Sequence, residues 1–328
     1  MTFKITATGG IAALAVVGLA AVSACSSSSS SSSSSAATAS ASASASSSSS
    51  GSNPLGGGSA SGTVVVGSAN FPENEVLAEV YALALQAKGV KVSTKLNIGA
   101  REVYYPQVEK GAIDIIPEYN GTLLTVEADP SSTAKTTAAV DAALAAKLPS
   151  TLTVLASAPA QDSDSITVTQ ATATKDHLKS IADLKPYASQ MVLGGPPEFK
   201  TRTDGIAGLK SVYGLTFKSF DPLDESGPIT LSALTSGKVQ AADVFTTTPQ
   251  IISDHLVSLT DPKFNFAAQN VIPLVYKPAV TPTITSTLNA VSAKLTTAAL
   301  LGLDVKVITD KEDYTTAAQA WLTSVGLG

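Results

Sequence analysis

The residues most able to do chemistry lie in short polar stretches behind apolar runs. The clearest is Glu118-Tyr119-Asn120-Gly121-Thr122, directly after Ile113-Asp114-Ile115-Ile116-Pro117. The isoleucines read as a short buried strand, and Pro117, which has no N–H to donate, is expected to end its ladder. The next five residues are then expected to form a turn whose Asn120-Gly121 pair tolerates positive φ, with Leu123, Leu124 and Val126 continuing as a helix. Tyr119 thus lies at the carboxyl end of a strand and opens a helix. Ligands of open α/β sheets bind there, because strand ends leave a crevice and a helix N-terminus offers unpaired donors. The same residues also suit an ordinary strand-turn-helix corner with a half-exposed tyrosine.

Catalytic chemistry is poorly served. The two histidines, His177 and His255, fall in segments expected to flank helices, away from the strand-end loops. No His, Cys or carboxylate group has metal-ligand spacing, and neither a Walker-type loop nor a nucleophile elbow occurs. A hydrolytic enzyme is therefore the least expected class, and no metal or cofactor is expected. The net charge of −5 supplies no basic face for nucleic acid or an anionic membrane surface.

The elements that must position these residues begin at Thr63. A strand at 64–66, a break at Gly67-Ser68, and a helix from Pro72 with Glu73 and Glu75 in its first turn precede a strand at 90–96, making a β-α-β unit. Its first loop, Gly67-Ser68-Ala69-Asn70-Phe71, falls at the same sheet edge as Tyr119, so Ser68, Asn70 and Phe71 join the candidate site. One of Tyr104 and Tyr105, early in the following helix, can reach the crevice while the other packs. A helix at 137–147 and a strand at 151–155 follow. A second lobe holds an alternating strand from Ile166, a strand at 191–193 followed by the Gly194–Phe199 turn and Arg202, a helix at 229–235, and a strand at 241–245 ending in Thr246-Thr247-Thr248. Residues 268–277 read as the strand returning to the first lobe, and helices complete the chain, with Trp321 at core spacing. The α/β lobes are expected at 63–167 with 273–328, and at 168–272. Two extended crossovers would let them hinge around a ligand.

The first 25 residues carry Lys4, an apolar run from Ile11 to Val22 and small residues up to Cys25, the layout of a secretory signal. Val22-Ser23-Ala24-Cys25 resembles the lipobox of bacterial lipoproteins, which implies acylation at Cys25 and anchoring to the outer face of the cell membrane. Cys25 is the one cysteine, so the exported part has no internal disulfide. Residues 26–62, almost wholly Ser, Ala, Gly and Thr, cannot build a core and are expected to form a tether with a reach of roughly 30 to 35 Å.

Five stretches, VGSANFPE, GAIDIIPEYNGTLL, GGPPEFKTRTDGIAGLKSVYGL, GKVQAADVFTTTPQI and DPKFNFAAQNVIPLV, occur in one order across 63–328. Together they resemble the glycine betaine/choline/carnitine (osmoprotectant) substrate-binding proteins of ABC importers. The resemblance implies a two-lobed, type II periplasmic-binding-protein fold with two crossover strands. It also implies a monomeric protein that captures a quaternary ammonium solute and delivers it to permease subunits. Such a cation has no donor hydrogen, so ring faces, carboxylates and carbonyl dipoles must recognise it, each desolvated ring contributing up to about 2 kcal/mol.

By this resemblance Tyr119 is a cage tyrosine, Thr122 its neighbouring hydroxyl and Arg202 a carboxylate-binding arginine, and Phe245 keeps an aromatic face. Otherwise Arg202 would pair with a neighbouring carboxylate and Phe245 would be core. This chain departs from the family pattern at Ala69, where lysine is frequent, at Asp162 and Asp164, where an aromatic is expected, and at Gln269, where a tyrosine is expected. Asp164 could compensate by charge, favouring a cation with no carboxylate of its own, such as choline; Asp162 and Asp164 could equally be solvated hinge residues. The alternative is a binding protein or sensor for a more polar solute, held by Gln161, Thr246 and Gln269.

Overall fold

The computed structural model describes residues 62–328. The expected signal segment, Cys25 and the tether up to Ser61 lie outside the described residues. The chain runs through β1 (Val64–Gly67), α1 (Pro72–Gln86), β2 (Val92–Lys95), α2 (Arg101–Glu109), β3 (Ile115–Tyr119), α3 (Asn120–Thr122), α4 (Thr137–Lys147) and β4 (Leu152–Val154). It then passes to β5 (Asp164–Thr169), α5 (Gln170–Lys175), β6 (Val192–Gly195), α6 (Ile206–Tyr213), β7 (Ser219–Pro222), α7 (Pro228–Thr235), β8 (Ala241–Phe245), α8 (Gln250–Ser253) and β9 (Leu256–Ser258). It returns through β10 (Val271–Tyr276) to α9 (Pro282–Lys294), α10 (Thr297–Asp304) and α11 (Tyr314–Ser324).

Two five-stranded sheets result, in the orders β2-β1-β3-β10-β4 and β7-β6-β8-β5-β9. Each has the same plan: parallel strands, then one antiparallel strand, β10 or β5, entering from a crossover. β5 belongs wholly to the second sheet, and β10 starts at Val271, so 164–167 and 271–272 sit on the other side of the lobe boundary from where the sequence suggested. Alternation fixes which residues of β5 face a core, but a partner strand decides the sheet. The crossovers bridge each other between Gln161 and Asn270, and Asp162 N–H donates to the Gln269 carbonyl at 3.1 Å, forming a two-stranded hinge.

Each lobe has its own core. The first centres on Leu77, Tyr81, Leu85, Ile115, Ile116, Leu123 and Leu274; the second on Ile166, Leu193, Phe199, Leu209 and Ala241. Trp321 packs half-buried against the first. Helix α1 begins as the sequence dictates: Pro72 needs no N–H at the first turn, and Glu73 and Glu75 face the positive end of the helix.

Two local expectations fail for physical reasons. β3 runs through Pro117 to Tyr119, because Pro117 lies opposite Pro273 of β10. An antiparallel pair without either N–H must be a non-hydrogen-bonded pair, so the ladder loses nothing between the two strands. Asn120 and Gly121 do not have positive φ. Gly121 is required instead by close approach, since a Cβ there would lie 2.3 Å from the Ala268 carbonyl oxygen. Among the described residues no helix is long and apolar enough to cross a membrane.

Candidate functional site: the cleft between the lobes

The loop after β1 is shaped by Asn74, whose side chain accepts from Ala69 N–H at 2.8 Å and donates to the Pro117 carbonyl at 3.0 Å. This ties the start of α1 to the end of β3 and brings Phe71 beside Tyr119, with ring centroids 6.0 Å apart. From the second lobe, Phe245 at the end of β8 meets Phe71 edge-on at 5.2 Å. The cleft holding these rings has an empty volume of about 420 Å³ and is also lined by Ala69, Arg101, Tyr104, Thr122, Asp162, Asp164, Arg202, Glu225 and Gln269.

Eight of the predicted residues therefore meet in one cleft: Phe71, Tyr104, Tyr119, Thr122, Asp164, Arg202, Phe245 and Gln269. Three do not line it. Ser68 is buried and structural: its Oγ donates to the Ala69 carbonyl and accepts from Asn97 N–H. Asn70 is exposed on the outer side of its loop. Thr246 is exposed, its hydroxyl donating to Asp162 Oδ1 at 3.1 Å and accepting from Ser163 N–H. A strand-end position identifies the loop; the φ/ψ of each loop residue decides which side chain turns inward. Between the two adjacent tyrosines, Tyr104 faces the cleft and Tyr105 packs in the core.

The polar lining divides into groups already satisfied and groups left over. Arg101 and Glu118 form a buried ion pair, Nη2 to Oε2 at 2.9 Å with Nε to Oε1 also at 2.9 Å, and Tyr104 donates to Glu118 Oε1 at 2.6 Å. Burial, the largest single influence, would lower the Arg101 pKa, but the charge and hydrogen bonds of Glu118 together with Tyr104 and Glu102 outweigh it, so the guanidinium stays ionised. Arg202 crosses the cleft to Glu102, Nε to Oε1 at 3.1 Å and Nη2 to Oε2 at 3.2 Å. Thr122 and Gln269 satisfy each other: the Gln269 carbonyl accepts from Thr122 N–H at 2.9 Å and its amide donates to Thr122 Oγ1 at 2.5 Å. Gln161 is exposed. The polar trio Gln161, Thr246 and Gln269 is thus turned outward or spent on protein partners.

Carboxyl groups are what remains. Asp162, Asp164 and Glu225 line the cleft, and among the described residues none of them has a salt bridge to a basic side chain, although Asp162 Oδ1 accepts from the Thr246 hydroxyl and from Thr247 N–H. Burial raises the pKa of Asp162 and then the charge of Glu73 adds to it; burial also raises Asp164, against the opposing pull of Arg202. Glu225 is pushed up to about 8 by burial and by its contact with Glu198, and the buried Asp204 to about 6 by burial and by Asp164. Asp243, buried on β8 against Asp164, is raised as well, by burial first and then by the Asp164 charge. Negative charge without a counter-ion is expensive in such a site, and a cation placed among the rings would lower every one of these pKa values. Tyr119 adds to the same pattern, its hydroxyl donating to Glu73 Oε1 at 2.5 Å.

The lobes touch across the cleft. Thr203 donates to the Thr125 carbonyl at 3.0 Å, Thr125 to Asp204 Oδ2 at 3.3 Å, and Thr247 to Glu73 Oε2 at 2.6 Å. Sequence reasoning missed Arg101, Glu225 and, as a lining residue, Asp162. Arg101 did leave a signal: it is the first residue of α2, where the helix dipole disfavours a cation unless a carboxylate compensates.

Residues 62–324 match the model of the substrate-binding domain of ABC-type glycine betaine transport systems, and the chain belongs to that family. It is 30% identical over 232 residues to the glycine betaine-binding protein YehZ of Escherichia coli, covering 67% of this chain and 73% of the relative. Over 226 residues it is 25% identical to a glycine-betaine-binding protein of Pseudomonas aeruginosa, covering 66% and 72%. Among solved structures, a glycine betaine/carnitine/choline ABC transporter protein superposes with a TM-score of 0.63 at 21% identity, over 80% of this chain and 99% of the other. The family is that of the substrate-binding domains of ABC-type glycine betaine transport systems, and the fold is the one the sequence resemblance implied.

Proposed function

We propose that the cleft binds a quaternary ammonium solute, and that among such solutes it favours one without a carboxylate, of the choline type, for delivery to an ABC permease. The observation that carries the reading is the division of charges. Both lining arginines are paired, with Glu118 and Glu102, while Asp162, Asp164 and Glu225 face the cleft with no basic partner among the described residues, beside Phe71, Tyr119 and Phe245. A trimethylammonium group fits rings and carboxylates together, since it offers positive charge and methyl surface but no hydrogen-bond donor. A solute carboxylate would meet three carboxyls whose own ionisation is already opposed by burial. In this reading Asp164 supplies the charge that a missing aromatic would otherwise supply by its quadrupole. Ser68, Asn70 and Thr246 shape the loops around the cleft rather than touch the solute. Acylation at Cys25 and the tether from Ser26 would hold the monomeric domain near the permease at the outer face of the membrane.

The test is calorimetry of the purified protein against choline, glycine betaine, carnitine and a neutral sugar. Choline is expected to bind with the highest affinity and the sugar not to bind. Preference for glycine betaine over choline would refute the charge reading, and binding of the sugar alone would refute the site.

A further inference from the structure

Behind the edge contact of Phe71 and Phe245 lies a second cavity, with an empty volume of about 920 Å³ against about 420 Å³ for the cleft. Phe71, Phe245 and Glu225 line both, so the two chambers share a wall. Leu231 from the second lobe and Val307, Ile308 and Tyr314 from the first give the chamber an apolar body. Its polar lining has a particular defect. Asp304, the last residue of α10, is 1% exposed, and neither of its carboxyl oxygens has a hydrogen-bond donor; Gln250 Oε1 in the same wall also has none. Asp304 faces Glu73 carboxyl to carboxyl, a contact that provides a donor only if one of the two holds a proton. The nearby Thr247 hydroxyl donates to Glu73 instead. The backbone stays helical beyond Asp304, through a π-helical turn at Val305–Thr309, so the cost of this carboxyl is that of burial without a donor.

We infer that this chamber is a second ligand site, for a primary amine in its protonated form carrying an apolar or aromatic body. The ammonium N–H groups would satisfy the acceptors of Asp304 and Gln250, and the body would fill the space between Leu231 and Tyr314. This chemistry differs from that of the cleft, because a quaternary ammonium has no N–H and cannot satisfy these acceptors. Of the lining residues Lys311 alone is basic, against the acidic Glu73, Glu225 and Asp304, so the charge balance also selects a cation.

The test is titration of the full-length protein with 2-phenylethylammonium chloride, followed by calorimetry, with and without saturating choline. Saturable 1:1 binding that choline does not displace is expected. Leu231→Trp, which fills the chamber, and Asp304→Asn, which removes the charge, should each weaken it at least tenfold, with cooperative thermal unfolding showing that each variant is folded. Absence of saturable binding, displacement by choline, or indifference to both substitutions would overturn the inference. If neither variant folds, displacement in the native protein decides alone. Should choline itself fail to bind, amine binding that responds to the chamber variants would still stand, so the two sites fail separately.

Discussion

Arg202 of the second lobe holds Glu102 of the first through two hydrogen bonds, at 3.1 and 3.2 Å, and so both latches the closed cleft and removes a guanidinium from the solute. The Glu102 side chain is 43% exposed, which limits such a pair to about 0–1 kcal/mol. Glu102→Ala should therefore weaken choline binding less than about fivefold, while freeing Arg202. The ratio of glycine betaine to choline affinity should rise, and competition calorimetry on the variant checks both effects.

Tyr119 presents its ring to the cleft and anchors its hydroxyl on Glu73. Loss of one desolvated ring face costs on the order of 1–2 kcal/mol, so Tyr119→Ala should lower choline affinity roughly 5- to 30-fold. Tyr119→Phe keeps the ring and leaves Glu73 without that donor. It should lower thermal stability more than it lowers affinity, measured by unfolding and titration on the same preparation.

The raised carboxyls make both binding and stability depend on pH. A group whose pKa is higher folded than unfolded stabilises the fold at low pH and loses that contribution as pH rises through its folded value. With Glu225 raised to about 8 and Asp204 to about 6, the empty protein should melt at a lower temperature at pH 8.5 than at pH 5.5. A bound cation favours the ionised carboxyls. Choline affinity should therefore rise with pH between 5.5 and 8.5, with protons released on binding, detectable as a dependence of the binding enthalpy on buffer ionisation enthalpy.

Gly121→Ala places a methyl group against the Ala268 carbonyl, 2.3 Å away at the ideal position. Overpacking against backbone costs roughly 1–3 kcal/mol. The variant should unfold at lower denaturant concentration, and because α3 is thereby pushed from the hinge, choline affinity should fall with it.

The periodic signals that position the cleft were legible in the sequence, and the cooperative ones were not. Pro72 with its acidic first turn, the isoleucines before Tyr119 and the Ala241–Phe245 strand each declared themselves locally, and the loops behind them carry Phe71, Tyr119 and Phe245. Edge strands β7 and β9 left no alternation to read, being short and paired on one side only. Pro117 misled because its effect depends on Pro273, far along the chain. The charge economy of the site was hidden for the same reason. Asp243 on β8 resembles any polar residue of a strand until β5 brings Asp164 against it, and Arg202 looked available to a solute until Glu102 met it across the cleft.

Recognition of positive charge by rings and carboxyls together is best isolated by titrating the native protein with choline and with its uncharged isostere, 3,3-dimethyl-1-butanol. The two molecules share shape and hydroxyl and differ in the charge on the central atom. Choline should bind at least about 100-fold more tightly, a difference of about 2.7 kcal/mol. Equal affinity for the two would contradict a cleft built around a cation.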